Sequence, residues 1–173
     1  MSTKSQMNKL LRITQSALIA AIYVVLTYFA KGFNLADGMI QCRFSEILCI
    51  LPFFTESAIP GVSLGCLLSN ILIGGSPLDI IFGTLATLLG CIGTYKLRNH
   101  KLLCTLPPVI ANALIVPFIL KYAYGIEVFI PFMMLTVGIG EMIMCVIFGS
   151  IFLQALIPAR KAIFNDTHQY KKI

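Results

Sequence analysis

Long apolar segments separated by short polar stretches run along the whole chain. The breaks between them carry proline, glycine and small polar residues, such as Thr55-Glu56-Ser57 after Pro52 and Gly74-Gly75-Ser76-Pro77. A membrane-crossing helix needs about 20 apolar residues, and several of the segments approach that length. The pattern predicts one all-α integral membrane domain over residues 1–173, with six transmembrane helices at about 13–30, 40–54, 59–73, 78–95, 107–122 and 128–157.

The composition excludes an ordinary soluble domain. Hydrophobic residues make up 58% of the chain and charged residues only 12%, whereas about a quarter of the residues in a soluble domain are charged. The six cysteines form no C-x-x-C pair and lie mostly in apolar runs. We therefore expect neither a disulfide framework nor a metal site, and we interpret these cysteines as small buried apolar residues.

The basic residues indicate how the chain is oriented. Short cytoplasmic loops of membrane proteins collect lysine and arginine, and six crossings place ten of the 13 basic residues on one side. Both termini are then cytoplasmic, in a multi-pass protein of the cell membrane. The first apolar run follows a basic N-terminus, as in a signal peptide, but no small-residue cleavage site follows cleanly, so we expect a retained first helix.

The motifs of the common enzyme classes are missing from the sequence. It has no G-x-x-x-x-G-K-[ST] phosphate loop, no H-E-x-x-H and no G-x-S-x-G, and the histidines His100 and His168 fall in a polar loop and the tail. We expect no cofactor, no catalytic residue and no ATP hydrolysis by this chain.

Polar residues inside or beside the apolar helices mark the candidate site, because such residues are costly in a membrane. Glu141 lies about 20 Å along the predicted sixth helix at 1.5 Å per residue, and no basic residue lies within a turn or two of it. A ligand or a residue on another helix must therefore supply a hydrogen-bond donor or a positive charge to the Glu141 carboxylate, unless this carboxylate is protonated. The candidate substrate-binding residues are Arg43, Glu46, Asn70, Asp79, Asn112 and Glu141.

Structural alternatives exist for most of these residues. Arg43 and Glu46 are three residues apart and could pair on one helix face. Asp79 could cap the start of the fourth helix, and Asn112 or Glu141 could bond to a neighbouring helix. The deeper charges nevertheless sum to an excess of two negatives, which predicts a pocket that prefers a cation or a ligand rich in hydrogen-bond donors.

Small residues recur at a spacing of four, which lets helices approach closely. One set is Ala17 and Ala21, and the other is Gly61, Gly65 and Ser69. Such a face is usually internal packing, but the first-helix face could dock another membrane subunit.

The sequence resembles the QueT family of substrate-binding subunits (S-components) of energy-coupling-factor (ECF) transporters. The similarity lies in IQCRFSEILCILPFFTESAIPG, SPLDIIFGTLATLLG, LPPVIANALIVP and GIGEMI, which begin at Ile40, Ser76, Leu106 and Gly138. This resemblance implies a six-helix S-component fold and uptake of queuosine precursors, which are deazaguanine bases. It also implies assembly with a membrane coupling subunit (T-component) and two cytoplasmic ATPases. In related S-components, small residues on the first helix contact the coupling subunit, and Ala17 and Ala21 match this pattern.

The implied ligand fits the candidate residues chemically. A deazaguanine edge offers adjacent N–H donors to a carboxylate such as Glu141, and a carbonyl acceptor to Asn112 or Arg43. An aminomethyl group would add a cation for Glu46 or Asp79. The alternatives are an S-component for another vitamin-like substrate, an integral membrane enzyme that uses buried carboxylates as acid and base, and a purely structural membrane partner, which leaves Glu141 unexplained.

Overall fold

The computed structural model describes residues 3–32 and 43–164, and every regular element in these ranges is helical, which confirms the predicted all-α class for this part of the chain. The α-helices are α1 (Thr3–Gly32), α2 (Ala58–Leu72), α3 (Thr84–Lys96), α4 (Leu106–Tyr124), α5 (Ile130–Glu141), α6 (Gly149–Leu156) and α7 (Arg160–Phe164). Between them lie a 3₁₀ helix (Phe44–Phe53), a short 3₁₀ turn (Leu103–Thr105) and two π-helical segments (Asp79–Gly83 and Met142–Phe148).

Three helical stretches are long and apolar enough to cross a membrane, namely Gln6–Gly32, Leu103–Tyr124 and Ile130–Leu156. The 3₁₀ helix and α2 are also apolar but shorter. Large apolar side chains such as Leu18, Val25 and Ile151 are exposed on the outside of the bundle, as expected where the solvent is lipid. The predicted number of six crossings stays a prediction beyond these three.

The 3₁₀ helix lies at the centre of the bundle. Eight of its ten residues are buried, and it contributes to two of the hydrophobic core clusters. The sequence predicted an ordinary helix at 40–54, whereas the structure has the tighter winding from Phe44 onward. Pro52 lies inside this segment and lacks the N–H that a continuous α-helix would use there. Residues 40–42 of the predicted helix lie outside the described residues.

Helices α1 and α2 pack closely because glycines replace side chains at their contact. A Cβ added to Gly61 would lie 2.8 Å from the Ser16 carbonyl oxygen, and one added to Gly65 would lie 2.6 Å from the Tyr23 Cβ. The glycine face of α2 is therefore an internal contact. Ala17 and Ala21, on the neighbouring face of α1, remain exposed.

Polar contacts identify one end of the bundle, which we call the Arg12 end. Arg12 Nη1 lies 3.4 Å from Glu56 Oε2, and the Tyr95 hydroxyl donates a hydrogen bond to the same carboxylate. Gln15 Nε2 donates to the Ile163 carbonyl oxygen at 3.3 Å. The first turns of α1 and the short helix α7 thus lie at the same end.

The opposite end, which we call the Lys31 end, contains the last turns of α1 and α2. Lys31 Nζ donates to the Ile73 carbonyl oxygen at 2.7 Å, and the Tyr28 hydroxyl donates to the Leu72 carbonyl oxygen at 3.2 Å. These bonds satisfy carbonyl groups that the end of a helix leaves without a helical partner.

We predict that Gly61→Ala destabilises the bundle, because the added methyl group meets the backbone of α1 at 2.8 Å. Overpacking of this kind costs about 1–3 kcal/mol, which exceeds the gain in helix propensity of up to about 1 kcal/mol. Thermal unfolding in lipid nanodiscs measures the change. Gly138→Ala is the matched control, because its nearest contact would be Ala113 Cβ at an ordinary 3.6 Å. Equal stability of the two variants would contradict the close contact.

Candidate functional site

The six polar residues predicted from the sequence lie in one connected region of the bundle. They come from the 3₁₀ helix and the residue before it, from α2, from the first π segment, from α4 and from α5. Five of their side chains are buried, at 1–5% exposure, and Arg43 is 16% exposed. Their functional roles are taken up below.

The first part of this region is centred on Asp79. Arg43 Nη2 lies 3.6 Å from Asp79 Oδ2, and the Tyr124 hydroxyl donates to the same oxygen at 2.9 Å. Asn70 Nδ2 donates to the Asp79 backbone oxygen at 3.3 Å. Asp79 is the acidic residue in the first turn of its π segment, and the N-cap residue Leu78 makes no side-chain capping bond, so the alternative that Asp79 interacts with the helix dipole stays open. We call Arg43, Asn70, Asp79 and Tyr124 the Asp79 group.

The local Arg43–Glu46 ion pair that the spacing suggested does not form between these two residues in the structure. Arg43 precedes the 3₁₀ helix with an extended backbone, φ −82° and ψ 101°, and it pairs with Asp79 instead. Glu46 accepts hydrogen bonds from the Tyr23 hydroxyl at 2.7 Å and from the Cys49 thiol at 2.9 Å. Partners from other elements or from the next turn therefore satisfy both residues.

The second part of the region brings two carboxylates together. Ligand atoms of Glu46, Glu141 and Cys145 all lie within 4.8 Å of one another. Asn112 is hydrogen-bonded to the Glu141 side chain, and the Cys145 thiol donates to Glu141 Oε2 at 3.4 Å. Two ionised carboxylates at this separation repel each other by about 3 kcal/mol at an effective dielectric constant of about 20. We call Glu46 and Glu141 the glutamate pair.

The charges of the two parts do not balance. Arg43 is the cation of the region, and it forms its ion pair with Asp79. If all three carboxylates are ionised, the glutamate pair keeps two negative charges without a salt-bridge partner among the described residues. The excess of two negatives predicted from the sequence is therefore concentrated at one point.

The glutamate pair with Cys145 has the spacing of a possible metal site. Thiolate and carboxylate groups are suitable metal ligands only when deprotonated. Here Tyr23, Cys49 and Asn112 donate hydrogen bonds to the carboxylates. This set of donors suits a bound proton or a cationic organic group at least as well as a metal ion, so we assign no metal.

One oxygen of Asp79 is left free. Asp79 Oδ1 is buried and has no hydrogen-bond partner among residues 3–32 and 43–164. A Cβ added to Gly83 would lie 2.7 Å from this oxygen and 3.3 Å from Asn70 Nδ2, so the glycine provides the space that these two polar atoms occupy. A buried carboxylate oxygen without a donor is costly, and a donor group placed next to it would relieve that cost.

Asp79 and Glu141 each lie at the boundary of a π-helical segment. Asp79 is the first residue of one segment, and Glu141 immediately precedes the other. π-Helical turns are rare and occur often at functional sites. Hydropathy does not distinguish a π turn from an α turn, so these segments could not be predicted from the sequence.

Sequence reasoning missed four residues that contact the carboxylates, namely Tyr23, Cys49, Tyr124 and Cys145. The two cysteines were interpreted as apolar fillers. The five described cysteines are indeed buried and free, but these two also donate hydrogen bonds. Their positions three and four residues after a glutamate, one helical turn away, were the available signal.

The depth of the two parts differs. Tyr124 also accepts a hydrogen bond from the Ser76 backbone N–H at 3.3 Å, which places the Asp79 group near the Lys31 end. Glu141 lies about 17 Å from the first residue of α5 at 1.5 Å per residue. The site therefore runs from the Lys31 end toward the middle of the bundle.

Comparison with known proteins places this geometry in a family. The QueT transporter family matches residues 13–158, a range that includes the whole site. A stretch of 72 residues is 40% identical to the queuosine precursor transporter QueT of Lactococcus lactis subsp. cremoris (strain MG1363) and covers 42% of this chain and 42% of that protein. No solved structure matches the chain. The family match extends over most of the apolar helices, and the chain therefore belongs to the QueT transporter family.

Proposed function

We propose that this chain is the substrate-binding S-component of an ATP-driven ECF importer and that it captures a queuosine precursor, a deazaguanine base, from outside the cell. The family and the name of the L. lactis relative support a transporter for such a precursor. The observation that carries the proposal is the glutamate pair beside Asn112, which is buried in the apolar bundle and has no salt-bridge partner among the described residues.

The recognition follows from the hydrogen-bonding groups of the base. Glu141 accepts the adjacent N–H groups of the deazaguanine edge, and Asn112 or Arg43 donates to its carbonyl oxygen. Glu46 or the free Asp79 Oδ1 meets a cationic side group. A site built from buried polar groups rejects analogues that lack the matching donors, because its own groups are then left unpaired.

We further propose that a coupling subunit and two ATPases complete the importer, since the sequence has no phosphate loop of its own. The docking face is that of Ala17 and Ala21, which stays exposed although the glycine face of α2 is filled. Ala17 also lines a surface groove of about 450 Å³ at the Arg12 end, between α1 and α2. A partner helix fits against small residues of this kind at short distance.

The proposed orientation has both termini in the cytoplasm. The first turns of α1 and the helix α7 lie at the same end, as an even number of crossings requires. That end also contains Arg12 and Arg98, in line with the positive-inside rule. The Asp79 group at the Lys31 end then faces the outside, where the substrate is captured.

Binding of the purified protein to deazaguanine bases tests the function, and Glu141→Gln tests the site. The amide removes the charge and places an NH₂ group opposite the donors of the ligand. A hydrogen bond to a charged group contributes roughly 1.5–3 kcal/mol, so affinity should fall by about 10- to 150-fold. Titration calorimetry measures it, with the exposed loop variant Glu127→Gln as the matched control.

Thermal stability is measured alongside, so that loss of binding is separated from loss of the fold. Unchanged affinity in a stable Glu141→Gln protein would remove Glu141 from the site. Tight binding of a vitamin from a test panel, with no binding of any deazaguanine base, would overturn the proposed substrate.

We predict that Ala21→Leu impairs uptake in cells that contain the full importer but leaves substrate binding by the purified subunit unchanged. The larger side chain separates the docked helices without touching the site. Ile22→Phe is the control, because Ile22 is also exposed but points about 100° around the helix from Ala21. Normal uptake by Ala21→Leu would contradict docking at this face.

Labelling with a membrane-impermeant thiol reagent tests the orientation. Asp37→Cys, in the predicted outer loop beyond the described residues, should react from outside, and Asn99→Cys, between α3 and the next 3₁₀ turn, should not. A Cys42→Ser background is suitable, because the other five cysteines are buried. The reverse pattern of labelling would invert the proposed topology.

A further inference from the structure

We propose that Glu46 and Glu141 share one proton when the site is empty, and that a cationic group of the ligand replaces this proton on binding. The inference rests on the proposed function, because it assigns Glu46 of the glutamate pair to the cation of the substrate and Glu141 to the N–H edge of the base. It adds a property of the site that can be measured separately, namely the release of a proton for each cation bound.

The two carboxylates of the glutamate pair lie close together. Their oxygens lie within 4.8 Å of each other, and the side chains belong to residues that are only 1% and 5% exposed. Glu46 comes from the 3₁₀ helix and Glu141 from the end of α5, so two packed elements fix the separation. Two carboxyl groups in one enclosed site do not both ionise readily, and their titrations are coupled.

Neutral side chains surround the glutamate pair. Asn112 from α4 and Tyr23 from α1 donate hydrogen bonds to it, as do the thiols of Cys49 and Cys145. Cys66 of α2 and Cys91 of α3 also lie in this environment. All of these groups are neutral in their ordinary protonated state, and none supplies a positive charge.

Arg43, the cation of the region, is already in an ion pair with Asp79. Arg43 is the residue before the 3₁₀ helix and faces the glutamate pair. Its guanidinium, however, forms an ion pair with Asp79 at 3.6 Å. Asp79 cancels the positive charge of Arg43, so the glutamate pair has no other cation among the described residues. One proton held by the pair reduces its charge from two negatives to one and so removes the repulsion between two ionised carboxylates.

The exchange balances in protons and charge. The empty pair carries one negative charge and one proton, and a ligand with an ammonium group carries one positive charge. On binding, the ammonium group donates hydrogen bonds to Glu46 while the N–H groups of the base edge donate to Glu141, and the shared proton leaves to the solution at the Lys31 end. The carboxyl O–H bond is the covalent bond that breaks, its electron pair stays on the carboxylate oxygen, and the proton is taken up by water or buffer. A neutral ligand of similar shape has no charge to offer, so the proton stays on the pair.

The pH dependence of affinity follows with a definite sign. While the pair holds its proton, binding of the cation must displace it, so affinity rises with pH by up to about 10-fold per unit. The rise stops at a pH where the empty pair has already lost the proton. For a neutral base, binding displaces no proton, and affinity stays nearly flat or falls as the pair ionises.

Calorimetry with two related bases tests the inference. Aminomethyl-deazaguanine carries a cation, whereas cyano-deazaguanine does not. Titration of each in buffers of different ionisation enthalpy counts the protons released. We expect about one proton for the amine and about none for the nitrile, at about pH 6 to 7. Glu46→Gln leaves a single carboxylate and should bring the count for the amine toward zero, whereas the control Glu127→Gln should not change it.

Infrared spectra of the empty parent protein provide a second readout that needs neither a variant nor a known ligand. A carbonyl band of a protonated carboxyl group should be present at neutral pH and should disappear when the amine binds. Absence of that band in the empty protein would overturn the inference, as would amine binding without proton release or equal release with the nitrile. If neither base binds, the proposed function fails, and the band still reports whether the pair holds a proton.

Discussion

The structure depends on the cost of placing carboxylates inside a bundle of membrane helices. Glu46, Asp79 and Glu141 are all buried, and a membrane provides no water to solvate them. The donors therefore come from elements throughout the bundle, including Tyr23 of α1 and Asn112 of α4. Hydrogen bonds to these carboxylates hold the helices in position around the 3₁₀ helix. The buried carboxylates, which need hydrogen-bond donors, therefore also determine how the helices are arranged.

Many residues of the candidate site could be predicted from the sequence, because a charged residue within an apolar segment is recognisable without knowledge of the fold. A glutamate such as Glu141, far from any basic residue and surrounded by apolar side chains, is anomalous whatever its neighbours in space are. The same reasoning found Arg43, Glu46 and Asp79, and their excess of negative charge. The helical class followed from the length of the apolar segments, for the same local reason.

The pairing of these groups could not be predicted, because it depends on distances between helices. Arg43 had Glu46 as its nearest acidic residue in sequence, yet the extended backbone before the 3₁₀ helix accompanies an ion pair with Asp79 instead. The two cysteines that donate to the carboxylates look like any other small apolar residue in a hydropathy profile. The close contact of α1 with α2 was suggested by Gly61 and Gly65, but only the structure shows that Ala17 and Ala21 stay outside it.

The 3₁₀ winding changes how far a short segment reaches. At about 2.0 Å per residue, the ten residues Phe44–Phe53 extend about 20 Å, whereas an α-helix of the same length extends about 15 Å. The hydrocarbon layer is about 30 Å thick, so this segment covers about two-thirds of it with half of the residues that a full α-helical crossing uses. Its hydrophobic reach is therefore better expressed in ångströms than in residues, and a threshold set by residue number underestimates the depth to which such a segment extends.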